Sequence, residues 1–154
     1  MGFSTVTTHL IMFIAVMGMA TGMITVFKNY VDESSGAMTA QWNSMSETIK
    51  TDISITSAAW DNSSNTTTVY VLNTGKTTLD PDKTDIYIDG LFIPRSPSNR
   101  SIGIENSTDT KNTGLWDPKE VLRIRVYKHL SSGMHTIDVA TQFGVTDSET
   151  ISVS

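Results

Sequence analysis

The sequence predicts an α+β protein in which a long N-terminal transmembrane and stalk α-helix precedes an all-β antiparallel sandwich. The first observation is an apolar run that contains no Asp, Glu, Lys or Arg and fills the first 27 positions. The second is a change of hydrophobic period at Thr51, from the 3.6 residues of a helix to the two of a strand. Together they divide the chain into an anchor helix at residues 1–27, its aqueous continuation (the stalk) at 28–50 and a β-sandwich domain at 51–154.

Residues 10–27 form the centre of the predicted anchor. These eighteen residues are apolar apart from two threonines, and at ~1.5 Å of rise each they make ~27 Å of helix, close to the thickness of a bilayer's hydrocarbon core. No Lys or Arg precedes the run, and the run is longer than the apolar region of a secretory signal, so we expect a retained membrane anchor rather than a cleaved leader. The side chains expected to form the anchor surface are Leu10, Ile11, Met12, Phe13, Ile14, Val16, Met19, Met23, Ile24 and Phe27.

After Lys28 the helix is expected to continue into water, because its apolar residues keep a helical spacing of four, three and four. This apolar stripe consists of Met38, Trp42, Met45 and Ile49. A single stripe on a polar helix has to be covered, either by the chain's own β-domain or by the same stripe of another subunit or a related chain. Gly36 is a candidate position for a bend or break in this helix.

The segment beyond Thr51 consists of short alternating stretches separated by turn clusters, with no helical period between them. The pattern predicts about seven strands and favours an immunoglobulin-like antiparallel sandwich over a parallel sheet. The predicted strands lie at 52–60, 66–72, 84–89, 91–93, 120–127, 137–143 and 151–153. The stretch 95–114 is polar and without a period, so we expect a loop there. The sequence contains no Cys, which leaves the space between the sheets to packing by Trp60, Phe92, Trp116 and Phe143.

The sequence shows no signature of catalysis, and we expect a protein that is not an enzyme and needs neither a cofactor nor a metal ion. Its histidines, His9, His129 and His135, lack the spacing of a helical metal pair. The densest acidic group, at residues 80–85, is typical of a turn, with a Ca²⁺ site as the alternative. The net charge is −5 and the basic residues are scattered, so no nucleic-acid footprint is visible.

Four possible glycosylation motifs of the form Asn-x-Ser/Thr bear on the orientation of the chain. They begin at Asn62, Asn65, Asn99 and Asn106. Lys28, just beyond the anchor, favours a cytoplasmic C-terminal side, but two acidic residues follow it closely. The glycosylation motifs point the other way, since such motifs are used on the outer side, so we expect the β-domain to lie on the outer side of the membrane.

Several short motifs follow one another in a fixed order over nearly the whole chain. They are Met1-Gly2-Phe3-Ser4 before an apolar helix, Thr51-Asp52-Ile53, Val71-Leu72-Asn73-Thr74-Gly75, Thr84-Asp85-Ile86-Tyr87-Ile88-Asp89-Gly90, Leu115-Trp116-Asp117-Pro118-Lys119-Glu120 and Gln142-Phe143-Gly144-Val145. In this order they resemble the archaellum accessory (stator) proteins F and G, FlaF and FlaG, within the archaellin and type IV pilin-like superfamily. The opening motif favours protein F, whereas residues 9–15 suit protein G as well.

The resemblance implies a non-enzymatic stator component of the archaeal motility machinery. Such a protein has a single-pass anchor in the archaeal cell membrane and an archaellin-like sandwich between the membrane and the surface layer. The implied partners are the surface-layer protein, accessory protein G and further copies of the chain in a homodimer or higher homo-oligomer. No nucleic acid is among them.

A filament-forming subunit, pilin-like or archaellin-like, is the alternative interpretation. In that case the N-terminal helix would pack in a helical filament core instead of lipid, and Gly18 and Gly22, four residues apart, would permit close helix packing. Archaellins resemble this chain in plan but begin with a basic leader. No basic residue precedes the apolar run here, which favours the stator component.

Overall fold

The N-terminal third of the protein is a single helix. The computed structural model describes residues 2–154, with side chains from Ser4 onward; Met1, the first residue of the predicted anchor and of the opening motif, lies outside the described residues. Helix α1 (Gly2–Lys50) is uninterrupted, so no break occurs at Gly36. One glycine costs a helix only ~1 kcal/mol, which the helix-forming residues around it offset. The chain divides into two compact units, one ending at Asn43 and the other comprising Ser44–Ser154.

The apolar part of α1 satisfies its few polar side chains within the helix itself. The hydroxyls of Thr8, Thr21 and Thr25 donate to the carbonyl oxygens four residues earlier, at 2.8, 2.6 and 3.0 Å. Such bonds remove the cost of exposing a hydroxyl to hydrocarbon. The helix from Ser4 to Lys50 is long and apolar enough to cross a membrane, and its most apolar 18-residue window has a mean hydropathy of 2.2 with none of it buried.

The β-domain contains eight strands. In chain order they are β1 (Ile53–Asp61), β2 (Thr66–Asn73), β3 (Asp85–Ile88), β4 (Leu91–Phe92), β5 (Arg100–Ile104), β6 (Val121–Tyr127), β7 (Gly133–Ala140) and β8 (Thr146–Val153), with a 3₁₀ turn at Pro81–Lys83 before β3. They form two four-stranded sheets with the orders β1-β2-β6-β5 and β4-β3-β7-β8, and all pairings are antiparallel. The predicted α+β class with a β-sandwich is confirmed.

Buried and more exposed residues alternate along the strands, and the buried ones form the core between the sheets. In β2 every second residue, from Thr67 to Asn73, is buried. Trp116 is fully buried, as predicted, whereas Trp60 and Phe143 are only partly buried against the edge of the core. The prediction for Phe92 is wrong: its side chain is 47% exposed, because it pairs with Tyr87 on the outer face of its sheet.

The structure also corrects the expectation of a loop over residues 95–114. Strand β5 lies within this stretch and pairs with β6 at the edge of the first sheet. Its inward positions are Arg100, Ile102 and Ile104, so the alternation begins with a charged residue that is only 4% exposed. A buried arginine hides a strand from a reading of hydrophobic period, because such a reading counts it as polar.

Hydrogen bonds from one sheet to the other close both open sides of the sandwich. On one side, the amide of Ile55 donates to Asp147 Oδ2 of β8 at 2.7 Å, next to a β-bulge in β1. On the other side, Nη2 of Arg100 donates to the carbonyl oxygen of Thr84, just before β3, at 2.8 Å. Edge strands with unpaired backbone groups invite aggregation. The first bond occupies one amide of the edge strand β1, and the second occupies the backbone carbonyl just before β3.

Trp116 and Glu120 organise the long connection that leads into β6. The Trp116 indole N–H donates to the carbonyl oxygen of Glu120 at 2.9 Å, and its backbone forms a two-way bridge with Leu79 at 2.9 Å. The buried Glu120 carboxylate accepts from the amides of Thr110 at 2.9 Å and Asp117 at 3.0 Å. One buried carboxylate thus fixes two separate points of the loop, which would otherwise have unpaired amides.

The end of α1 is joined to the sandwich by the segment that follows β2. The amide of Lys76 donates to the carbonyl oxygen of Lys50 at 2.8 Å, and the amide of Gly75 donates to that of Asp52 at 2.9 Å. The Thr74 hydroxyl also donates to Asp52 Oδ2 at 2.7 Å. A Cβ atom on Gly75 would lie only 2.5 Å from the Asp52 nitrogen and 2.7 Å from the Lys50 oxygen. Only glycine permits this close approach.

Substituting Gly75 with alanine should destabilise the β-domain by about 3 kcal/mol, because the new methyl group meets backbone atoms that cannot move without breaking these bonds. Thermal unfolding of the full-length chain in detergent, followed by near-ultraviolet circular dichroism, measures the effect. Gly103→Ala is the matched control, since nothing lies within 4 Å of its added Cβ. Equal melting temperatures for the two variants would contradict the proposed close approach.

Candidate functional site

The predicted anchor residues form an apolar surface on all sides of the N-terminal helix. Within this unit their exposed fractions run from 58% for Val16 to 78% for Met23. The others are Leu10, Ile11, Met12, Phe13, Ile14, Met19, Ile24 and Phe27, at 60, 63, 66, 62, 63, 75, 68 and 69%. An exposed surface of this kind needs lipid or other apolar helices around it, because water disfavours it. Its role as an anchor remains a prediction.

The apolar stripe begins in the N-terminal unit, where Met38 is 57% and Trp42 is 64% exposed. Its second half belongs to the unit that contains the sandwich, and Met45 and Ile49 are 54% and 74% exposed there. In the last turns of the helix, Ser46 and Glu47 face the sandwich instead, and both side chains are half-buried. The sandwich therefore leaves Met45 and Ile49 uncovered, and the stripe stays a predicted contact surface.

The β-domain exposes its own apolar side chains mainly at one end. We call this the distal end: it is the end of the sandwich opposite Ser44–Lys50, where the β1–β2 turn, the end of β6 and the start of β5 meet. Leu91, Phe92 and Tyr127 lie there, with exposed fractions of 61, 47 and 44%. Only isolated apolar residues are ordinary on a surface, so a group of them indicates a contact site.

A groove runs between these side chains. It has a volume of about 350 Å³ and is lined by residues 91–94 on one side and by Asn99, Tyr127 and Lys128 on the other. We call it the distal groove. Its walls come from both sheets, so its shape depends on the intact sandwich. It combines an apolar floor with one amide, one phenol and one ammonium group, the mixture typical of a protein-binding surface.

A tight turn sets the position of the groove's most exposed apolar residues. Asp89 and Gly90 have φ values of 53° and 74°, as in the type I′ turn that the Asp-Gly sequence predicts. The turn reverses the chain so that Leu91 pairs with Ile88 and Phe92 with Tyr87. The rings of Phe92 and Tyr87 lie 5.6 Å apart, which supports Phe92 from one side only.

His135 holds this turn against the neighbouring strand. Its Nδ1 lies 2.7 Å from Asp89 Oδ2, and its Nε2 lies 2.8 Å from the carbonyl oxygen of Ser131. The Asp89 carboxylate and the Ser131 carbonyl are acceptors, so only the protonated, charged imidazole can donate to both of them. The hydrogen bond to Asp89 and the one to Ser131 raise the pKa of His135, while nearby Lys128 opposes the rise. His135 and the Thr136 amide in turn hold the pKa of Asp89 below its usual value.

The four possible glycosylation sites occupy different environments. Asn62 and Asn65 lie in the β1–β2 turn, Asn99 directly precedes β5, and Asn106 follows it. Asn65 is bonded to Nδ1 of His129 at 2.9 Å. The side chain of Asn99 is half-buried, while those of the other three are exposed.

The acidic group at residues 80–85 is engaged within the fold. Asp80 caps the 3₁₀ turn by accepting from the Asp82 amide at 3.0 Å and pairs with Lys83 at 3.1 Å, and Asp85 pairs with Arg95 at 2.8 Å. The turn interpretation thus has a structural basis. Over residues 2–154, no three His, Asp or Glu side chains are grouped so that they could hold a metal ion.

The described residues thus offer two exposed apolar surfaces, one on the N-terminal helix and one at the distal groove. An archaeal-type flagellin family model matches residues 2–151, and the chain belongs to the archaeal-type flagellin family. The resemblance seen in the sequence motifs is confirmed by this membership. Membership of this family supports a structural component of the archaellum.

Three similar proteins illustrate the range of the family. An uncharacterized protein of Archaeoglobus fulgidus is 26% identical over 160 residues, which cover 99% of this chain and 98% of that relative. The archaellum periplasmic stator protein FlaG from Sulfolobus acidocaldarius is 24% identical over 66% of this chain and 99% of its own, with a TM-score of 0.51. A chain of the FlaF and FlaG stator complex from the same organism is 24% identical to this one. The match covers 64% of this chain and 87% of that chain, with a TM-score of 0.48. The FlaG likeness shows a shared fold.

Raising the pH should weaken the turn at Asp89. Because the pKa of His135 is raised in the folded chain, its contribution to stability is complete below about 6.5 and is lost as the pH rises through the raised value. The pKa of Asp89 is lowered, so its contribution to stability is complete when the pH is above 3.8, its usual pKa. That contribution is lost as the pH falls through the lowered pKa. We expect the difference in urea midpoint between the wild type and His135→Gln to shrink from about pH 5 to about pH 9. His129→Gln is the control, and a constant difference would contradict the charged pair.

Proposed function

We propose that the chain is a membrane-anchored stator component of the archaellum. Its helix holds it in the archaeal cell membrane with a single pass, and its sandwich lies outside, where it holds the surface layer and supports the torque of the motor. Membership of the archaeal-type flagellin family and the shared fold with a periplasmic stator protein support a role of this kind. The uncharged apolar helix supports the membrane anchorage.

The distal groove is the observation that carries the proposal. A stator that joins a membrane to a fixed wall needs a contact surface at each end of the molecule. The groove lies at the end of the sandwich opposite the attachment of α1, and it exposes Leu91 and Phe92 beside Tyr127 and Lys128. Aromatic side chains with a polar rim are the residues that carry most of the free energy of protein binding. The surface-layer protein is the proposed occupant.

The apolar stripe is the proposed contact with other copies of the chain, in a homodimer or a higher homo-oligomer, or with accessory protein G. Met45 and Ile49 are on the side of the helix that the sandwich leaves uncovered. Their spacing with Met38 and Trp42 suits a second helix packed along the same face. Association of several anchors would share a mechanical load among them.

The distal groove can be tested with isolated surface-layer protein as the probe and the immobilised full-length chain in detergent. Leu91→Ser should weaken binding by about thirtyfold, because burying a leucine side chain contributes ~2 kcal/mol at a well-packed contact. Leu115→Ser is the matched control, since Leu115 is 41% exposed but lies in the loop before β6, away from the groove. Equal loss in both variants, or no binding by the wild type, would refute the proposed role of the groove.

A filament-forming subunit of the pilin or archaellin type is the second candidate. The family description and the exposure of the N-terminal helix on all sides favour it, because the same surface could pack against identical helices. Gly18 and Gly22 leave open space on this surface, with nothing within 4 Å of an added Cβ. Such small residues allow helices to approach closely.

Electron microscopy of the purified full-length chain separates the two candidates. A stator component should form discrete small oligomers, and the exchange Gly18→Leu should leave their size unchanged. A filament subunit should form long fibres with helical order, which Gly18→Leu should shorten or abolish, because a large side chain keeps packed helices apart. Long fibres of the wild type would replace the stator proposal with the filament interpretation.

A further inference from the structure

We propose that Asn62 is the position at which the folded chain accepts an N-linked glycan. The fold makes the other three motifs inaccessible to the modifying enzyme. Within the cell this inference rests on the proposed function, since it requires the sandwich to lie outside the membrane. The selection itself follows from the structure, because an enzyme that modifies the motif has to reach both the asparagine amide and the hydroxyl two residues later.

The Asn62 motif lies wholly on the surface. Asn62, Ser63 and Ser64 form the tip of the β1–β2 turn, and all three are exposed. Among the described residues, none has a hydrogen bond to the Asn62 side chain. Asp61 fixes the shape of the turn by accepting from the Ser63 amide at 3.0 Å and from the Ser64 hydroxyl at 2.7 Å. The Ser64 hydroxyl is thus hydrogen-bonded, but it is exposed and its bond lies within the turn, so an enzyme can reach the motif without disturbing the sheets.

The Asn65 motif is only three residues away but ends inside the core. Its hydroxyl residue, Thr67, is 0% exposed and faces inward from β2. The Asn65 side chain is also engaged, through its bond to His129. Strand β2 lies between β1 and β6, so the Thr67 hydroxyl becomes accessible only when the sheet opens.

The two remaining motifs are closed in different ways. At Asn99, the side-chain amide donates to Ser96 Oγ at 2.8 Å, the backbone carbonyl accepts from Tyr127, and the middle residue Arg100 is buried. At Asn106, the asparagine is exposed, but the hydroxyl of Thr108 donates to the Glu105 carbonyl at 2.9 Å and accepts from the Val121 amide at 3.0 Å. Modification at either site would have to break bonds that hold β5 and β6 in place.

The modification itself is a glycosyl transfer from a lipid-linked oligosaccharide. The Asn62 Nδ2 forms a bond to the anomeric carbon of the first sugar, while the bond between that carbon and the lipid phosphate oxygen breaks. The amide loses one proton, and the lipid phosphate leaves with the electron pair. The transfer needs no oxidant or reductant and leaves the glycan on the distal end of the sandwich.

The test compares the folded chain with a peptide of the same sequence. Full-length protein in detergent and a synthetic peptide covering residues 58–70 are each incubated with an archaeal oligosaccharyltransferase and its lipid-linked donor, and site occupancy is measured by mass spectrometry. The peptide exposes both motifs and should be modified at Asn62 and Asn65. In the folded chain the ratio of Asn62 to Asn65 occupancy should rise by at least about tenfold, because Thr67 is reached only by opening β2.

Variants assign the modified site. Asn62→Gln and Ser64→Ala should each abolish glycosylation of the folded chain, and Asn106→Gln should leave it unchanged. Thr67→Val destroys the Asn65 motif and is the matched control, since none of the described residues forms a hydrogen bond with the buried Thr67 hydroxyl and valine has the same shape. Occupancy at Asn62 should persist in this variant. Equal occupancy of Asn62 and Asn65 in the folded wild type, or no transfer to the folded chain, overturns the inference.

The experiment with purified components does not depend on the orientation of the chain in a membrane, so it tests the inference separately from the proposed function. If Asn62 is modified in the purified protein but remains unmodified in archaeal cells that glycosylate their surface proteins, the selection by the fold holds and the outside location fails. If Asn62 carries a glycan in such cells, both hold.

Discussion

The close approach of the segment after β2 to the end of α1 is the constraint on which the arrangement of the second unit depends. A helix ends with carbonyl groups that have no partner within it. Here one of them, on Lys50, accepts from the Lys76 amide, and Asp52 accepts from Thr74 and Gly75 directly afterwards. The chain thus passes from helix to strand without a flexible linker, and force applied to the last turn of the helix is transmitted to a strand in the first sheet. A glycine at position 75 is what allows the backbones to come this close.

A second set of contacts connects this junction to the interior. Asn73, directly before the junction, is fully buried, and its side-chain amide donates to the carbonyl oxygens of Thr77 and Trp116 at 2.9 and 3.0 Å. Trp116 in turn is fixed by Glu120 at the start of β6. Removing any of these partners would leave a buried polar group unpaired, which costs about 1–3 kcal/mol. The absence of disulfides in this sequence is therefore offset by a polar network at the end of the sandwich that bears the helix.

Local sequence signals could predict some features of this fold but not others. Period and turn chemistry predicted the sandwich and most of its strands, because alternation along β2 and the Asp89-Gly90 turn are local signals. The same signals failed at β5, where a buried arginine begins the alternation, and at Phe92, whose pairing with Tyr87 places it on the outer face. Burial of Arg100 depends on the carbonyl of Thr84, which belongs to the other sheet. No local pattern contains that information.

The candidate site was even harder to predict from the sequence than the fold. The distal groove is built from three separate parts of the chain. The sequence around Leu91 or Tyr127 therefore contains no local pattern that predicts the groove. Likewise, four glycosylation motifs of the same general form differ in accessibility only when the fold buries Thr67 and engages Thr108 in hydrogen bonds. The apolar helix could be predicted, because its signal is composition over a continuous run. Local composition therefore predicts the anchor helix, whereas the proposed partner surface is defined by tertiary structure.

The pair of His135 and Asp89 makes the support of the distal groove depend on pH. A neutral His135 could donate to only one of its two acceptors, Asp89 or Ser131, and the turn that carries Leu91 would lose part of its support. The Asp89 amide still donates to the carbonyl of Thr136, so the strands would remain paired. We therefore expect loss of the charge to loosen the groove without unfolding the sandwich. For a protein whose proposed role is to hold a fixed wall, the affinity of the distal end would then fall at a pH that leaves the junction with α1 intact.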